Sequence, residues 1–110
     1  MEKNLGGGLC PANTNEADLY TVGASTSSVV TSMMICNLTA LSSTFSICHA
    51  IAGAANQSSQ YLYKNYVIEG AMTVRLDNLR ICMATTDKLR VTSGTANALA
   101  FNAWGSERAL

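Results

Sequence analysis

Two runs of alternating residue type stand a short Ser/Thr-rich turn apart: Ser28 to Leu38 (Ser-Val-Val-Thr-Ser-Met-Met-Ile-Cys-Asn-Leu) and Thr44 to Ile51 (Thr-Phe-Ser-Ile-Cys-His-Ala-Ile). Alternation is the period of a strand, whose successive side chains leave opposite faces, and not of a helix. Two such runs joined by a short polar link predict an antiparallel β-hairpin. The same pattern runs on to the C-terminus. Asp18–Val22 reads as a short strand ended by Gly23-Ala24-Ser25-Thr26, and Tyr61–Ile68, rich in aromatic and β-branched residues, as another, with Tyr61 and Tyr63 on one face and Leu62 on the other. Ala71–Leu76 alternates with Met72, Val74 and Leu76 inward. Leu79–Met83 is a short strand or irregular edge, and Lys88–Thr92 places Leu89 and Val91 inward. Asn97–Trp104 puts Leu99, Phe101 and Ala103 on one face. The turn signals between them are Glu69-Gly70, Asp77-Asn78, Thr85-Thr86-Asp87 and Ser93-Gly94-Thr95. About seven or eight short strands at this spacing predict an all-β antiparallel sandwich, of either jelly-roll or immunoglobulin-like order.

The 110 residues suffice for one core and not two. Residues 1–17 carry Gly6-Gly7-Gly8 and Cys10-Pro11, which resist helix and ladder alike, and read as an extended N-terminal arm ahead of a sandwich over 18–110. On that division the arm could be deleted with the domain still folded. Its apolar residues Leu5 and Leu9, with Pro11, are the candidate anchors on a neighbouring subunit, by main-chain pairing and burial. Ala52–Gln60, small and polar, reads as a loop with room for one helical turn.

Charge narrows the functions. Only 13% of residues are charged against 48% hydrophobic, the formal net charge is zero, and no Lys/Arg cluster occurs, so the footprint that neutralises phosphates is missing and nucleic acid is not an expected partner. A neutral, hydroxyl-rich surface lacks the repulsion that keeps copies apart and suits a subunit of an assembly. No run approaches the roughly 18 apolar residues of a membrane helix, and the polar, Gly-rich start does not read as a signal peptide, so a soluble protein made in a cytoplasm is expected. The four cysteines, Cys10, Cys36, Cys48 and Cys82, are widely spaced and read as small buried thiols, with Cys36 and Cys48 positioned for a cross-strand contact on the hairpin.

The order Leu19-Tyr-Thr-Val, Val29-Val-Thr-Ser-Met-Met-Ile-Cys-Asn, Thr44-Phe-Ser-Ile, Tyr61-Leu-Tyr, Thr86-Asp-Lys-Leu-Arg-Val, and Leu99-Ala-Phe-Asn-Ala-Trp-Gly-Ser-Glu107 resembles small β-sandwich virion proteins of tailed bacteriophages, cyanophages among them. The resemblance spans Leu19 to Glu107 and rests on structural, not catalytic, motifs. It implies a virion protein assembled in a bacterial host's cytoplasm: a capsid cement or decoration subunit, or a neck, tail or baseplate module. The implied partners are the major capsid protein or another virion protein, together with copies of itself, with a trimer first among the possible oligomers.

Chemistry is sparse. With a single histidine, His49, and no Gly-x-Ser-x-Gly, a nucleophile would lack a choice of base, so no catalytic residue and no cofactor is expected. His49 beside Cys48 has no second ligand pair for zinc, and Glu69, Asp77, Asp87 and Glu107 lack the spacing of a calcium loop; Asp77 and Asp87 read as turn formers. Asn37-Leu38-Thr39 and Asn56-Gln57-Ser58 match the glycosylation acceptor pattern, which recurs by chance. Tyr61, Tyr63 and Tyr66 with Trp104 are the aromatic set from which either a subunit contact or a sugar-stacking platform would be built; the latter belongs to a carbohydrate-binding module for host attachment.

Overall fold

Period-two burial organises the strands over Thr26–Asn37, Lys88–Ser93 and Leu99–Ala109 of the computed structural model, which describes residues 3–54 and 60–109. Among these residues nine strands form: β1 (Lys3–Leu9), β2 (Ala17–Thr21), β3 (Thr26–Asn37), β4 (Ser43–Ala50), β5 (Tyr61–Ile68), β6 (Thr73–Leu76), β7 (Ile81–Met83), β8 (Lys88–Ser93) and β9 (Leu99–Ala109), with one 3₁₀ turn at Ile51–Gly53. Two antiparallel sheets result. One runs β1-β9-β3-β6, with β7 also paired to β3; the other runs β2-β8-β4-β5.

The pairing is nested. β4 pairs with β5, β3 with β6 and β7, β2 with β8, and β1 with β9, as in one long hairpin that has been rolled up until β9 also meets β3 and β8 also meets β4. This is a jelly roll, with β6 and β7 sharing one strand position, and it excludes the immunoglobulin order, in which the first two strands lie side by side. Between the sheets lie Val30, Met33, Ile35, Phe45, Ile47, Leu89, Val91, Leu99 and Phe101, each at most 1% exposed. Each such burial contributes about 1.5–3 kcal/mol relative to exposure.

The expected hairpin over residues 28–51 does not form. β3 and β4 lie in opposite sheets, so residues 38–42 carry the chain across the sandwich and do not reverse it within one sheet. Consequently Cys36 and Cys48 do not face each other, and all four cysteines are free. Of these only Cys48 is buried; Cys36 is half-buried, and Cys10 and Cys82 are exposed. Met72, expected inward, is 56% exposed. It precedes β6, and the positive φ of Ala71 (58°) turns it out of the strand's alternation.

The segment read as an arm is, over Lys3–Leu9, the edge strand of the first sheet, in register with β9 from Lys3↔Gly105 to Leu9↔Phe101. Its glycines have a packing reason. A Cβ on Gly6 would stand 2.5 Å from the Leu19 carbonyl oxygen of β2, so only a residue without a side chain lets the two strands pass this closely. Leu5 and Leu9 pack against the core. Deleting residues 1–17 therefore removes a strand and part of the core, not a free tether.

Glycine has a second packing role at Gly70, where a Cβ would run into the Ala40 carbonyl at the crossing of two loops. Because backbone cannot yield as a side-chain tip can, Gly70→Ala is expected to cost about 2 kcal/mol by overpacking. A urea unfolding midpoint equal to that of the unsubstituted protein would contradict this contact.

Candidate functional site

A jelly roll collects its connections at two ends. At one end the links 10–16, 38–42, 69–72 and 94–98 meet, tied by main-chain hydrogen bonds: Asn97 N donates to the Pro11 carbonyl (2.9 Å), Leu38 N to Ala98 (2.7 Å), Ala71 N to Thr39 (2.7 Å) and Asn37 N to Met72 (2.9 Å). At the centre stands Asn37, 2% exposed. Its Nδ2 donates to the carbonyls of Leu41 (2.8 Å), Ile68 (3.3 Å) and Glu69 (3.1 Å), while its Oδ1 accepts from Thr39 N (2.9 Å) and Thr39 Oγ1 (2.8 Å). The nitrogen that the acceptor pattern would offer to a glycan is thus engaged inside the protein. Asn56, of the second pattern, lies outside the described residues, as does most of the predicted loop over 52–60.

With their backbone so tied, these links turn apolar side chains outward. Leu38 is 58% exposed, Leu41 77% and Met72 56%, and the neighbouring end of the edge strand β5 adds Tyr66 and Val67. Exposure clustered in this way contrasts with the scattered apolar residues of ordinary surfaces. The sequence reading missed this end. The available signal was Leu41 inside a short Ser/Thr link that had no strand of its own in which to bury it, next to Leu38 at the end of the preceding run.

At the opposite end the links 22–25, 51–54 and 84–87 meet around Asp87, 5% exposed. Its Oδ1 accepts from Ala52 N (2.8 Å), and its Oδ2 from Ala84 N (3.0 Å) and in the contact with His49 Nε2 (2.8 Å). Its carbonyl accepts from Val22 N (3.0 Å). Burial alone would raise this carboxyl's pKa, but the Ala52 amide, His49 and the Ala84 amide outweigh it and hold the pKa below the ordinary aspartate value. Asp87 therefore does more than form a turn: it joins three links. His49 is its side-chain partner.

The residues proposed from sequence are dispersed. Pro11 is buried, and Leu5 and Leu9 are spent on the core. Tyr61 and Tyr63 lie on β5 in one sheet and Trp104 on β9 in the other, so they do not form one platform. Tyr63 and Tyr66 pack with Phe45 at centroid distances of 6.1 and 5.3 Å, and Lys64 Nζ sits 4.2 Å over the Tyr61 ring. Trp104 is half-buried on the outer face of its sheet, beside Ser32 of β3. Among the described residues no three His, Cys, Asp or Glu side chains converge as a metal site.

No protein-family model and no curated protein matches this chain. A solved structure of infectious bursal disease virus, Gx strain, is similar in fold, with a TM-score of 0.53 at 7% sequence identity. The superposition covers 99% of this chain and 31% of that one, so this chain corresponds to under a third of the viral chain's length.

Proposed function

We propose that this chain is a structural, non-enzymatic protein of a virion. The observation that carries the reading is the rolled-up pairing of its strands, matched over 99% of the chain by a chain from a virus structure. The outward Leu38, Leu41 and Met72 on a hydrogen-bonded base supply a contact surface, and the zero net charge favours packing of like subunits. Within that reading the role is capsid cement or decoration: the protein assembles with itself, as a trimer, and sits on a shell where it joins neighbouring capsid subunits. The segment-by-segment resemblance of Leu19–Glu107 to tailed-phage proteins selects the shells for the first test.

The test combines light scattering of the full-length protein with its co-sedimentation on shells of a tailed-phage major capsid protein. The expected result is a trimer that binds shells. Leu41→Asp, at the most exposed apolar position, is expected to weaken binding at least tenfold with an unchanged melting temperature, since this side chain contributes little to the core. A monomer that leaves the shells bare would overturn the cement role.

A further inference from the structure

The outer face of the β1-β9-β3-β6 sheet carries a cleft of about 970 Å³ that the virion reading does not use. It exists because one strand position is broken in two. β6 pairs with β3 over Met33–Cys36 and β7 over Ser28–Val30, while residues 77–80 leave the ladder between them. Leu79 N returns a hydrogen bond to the Thr31 carbonyl (2.9 Å), and its side chain packs against the core. Opposite the break β3 has a bulge on its other side, where the register with β9 shifts between Val30 and Ser32. Bulges of this kind re-aim side chains, often beside binding sites. A break and a bulge at one point of a strand sacrifice ladder hydrogen bonds, and what they create is the cleft.

Its lining is selective. Arg75 and Arg80 stand on the rim with one carboxylate, Asp77, between them in sequence. Arg75 Nε is paired with Asp77 Oδ2 (3.3 Å), whereas no described carboxylate pairs with Arg80. The cleft thus holds one uncompensated guanidinium, the group whose planar fork matches a carboxylate. Ser32, Ser106 and Asn78 add hydroxyls and an amide, the donors and acceptors that a polyol requires. Trp104 is the register partner of Ser32 and stands two residues before Ser106 on the same face, so it lies next to the lining residues, where its indole would offer an apolar plane to a sugar ring at the cleft's edge. A single net positive charge is too little for a nucleic-acid backbone, which takes several phosphate contacts to hold.

We propose that this cleft binds an acidic saccharide, its carboxylate on Arg80, its hydroxyls on the Ser32, Ser106 and Asn78 side, and one ring against Trp104. The proposal is independent of the cement role, and it relocates sugar recognition from the tyrosines of β5 to the opposite sheet.

Trp104 is the sole tryptophan of the chain, so intrinsic fluorescence of the full-length protein reports on the site directly. Titrations with a glucuronate-containing tetrasaccharide and with sialyl-lactose are expected to give, for at least one, a saturable change. Its carboxyl-reduced counterpart should bind at least tenfold more weakly. Arg80→Gln, at an exposed position, should weaken binding at least tenfold without moving the melting temperature. Silence with both acidic sugars, equal binding of the carboxyl-reduced sugar, or wild-type affinity in Arg80→Gln would each overturn the assignment. A matching response to inorganic phosphate would assign the cleft to simple anions and overturn the saccharide.

Discussion

Asn37→Asp is expected to destabilise the protein more than Asn37→Ala, although it is the closer of the two in shape. The Nδ2 group shares its two protons among three carbonyl oxygens, those of Leu41, Ile68 and Glu69. Alanine removes the donor and leaves those carbonyls, with Thr39 N–H, to find water at a site whose centre is buried. At about 1 kcal/mol for each net hydrogen bond lost, and more wherever a group stays dry, the cost is about 3 kcal/mol. Aspartate instead points a second oxygen at the same three carbonyls, which adds repulsion and the desolvation of a charge to the same losses. Urea unfolding at pH 7 measures both variants. An Asp variant no worse than Ala would mean that the knot works by shape and not by its donors. The same variants bear on the proposed function, because the links that Asn37 ties are those that present Leu38, Leu41 and Met72. Loosening them should lower affinity for shells even at temperatures where the sandwich stays folded.

Strand positions were legible because burial on one face of a strand writes itself into the chain with period two, and Leu89/Val91 or Leu99/Phe101/Ala103 can be read inward without knowing any partner. Partnership was not legible. The link 38–42 is short enough for a hairpin loop, and nothing local distinguishes a reversal within one sheet from a crossing to the other; that choice is made by β9, some 60 residues later in sequence, which occupies the place beside β3 that a hairpin would give to β4. The N-terminal glycines misled for a related reason. Gly6 reads as flexibility when seen alone, whereas its lack of a side chain answers to Leu19, with which no local pattern connects it. The knots at Asn37 and Asp87 were equally hidden. Both residues look like loop punctuation, and only the meeting of distant links converts them into buried hubs. The cleft was hidden more deeply still, since a turn signal at Asp77-Asn78 announces a loop but not that both flanking strands pair with the same neighbour.

Asp87→Asn is expected to cost about 3 kcal/mol at pH 7, and the cost should shrink as the solution is acidified. The carboxylate accepts on both oxygens from donors that cannot reverse their role, the Ala52 and Ala84 amides. A carboxamide keeps one acceptor and turns an N–H group toward another N–H, so at least one charge-assisted bond, worth about 1.5–3 kcal/mol, is lost and a buried donor is left unpaired. The pH dependence follows from the direction of the shift. Asp87 has a folded-state pKa below its unfolded value, so its contribution is complete above the unfolded value and disappears as the pH falls through the folded one. As the pH falls below about 4, the ordinary aspartate value, the wild-type protein should therefore lose stability toward the level of the Asp87→Asn variant, and the two unfolding curves should converge in strong acid. Two other carboxylates are also lowered. Asp18 is raised by burial but lowered further by Lys88 and Arg90, and Glu107 is lowered by Lys3 and Tyr20. Their ion pairs lie at the surface, where solvent screening leaves them little weight, and both remain in the variant, so they cancel in the difference. Parallel, non-converging curves would show that Asp87 acts through its shape and backbone alone, and that the three links at this end of the roll are held together by something other than its charge.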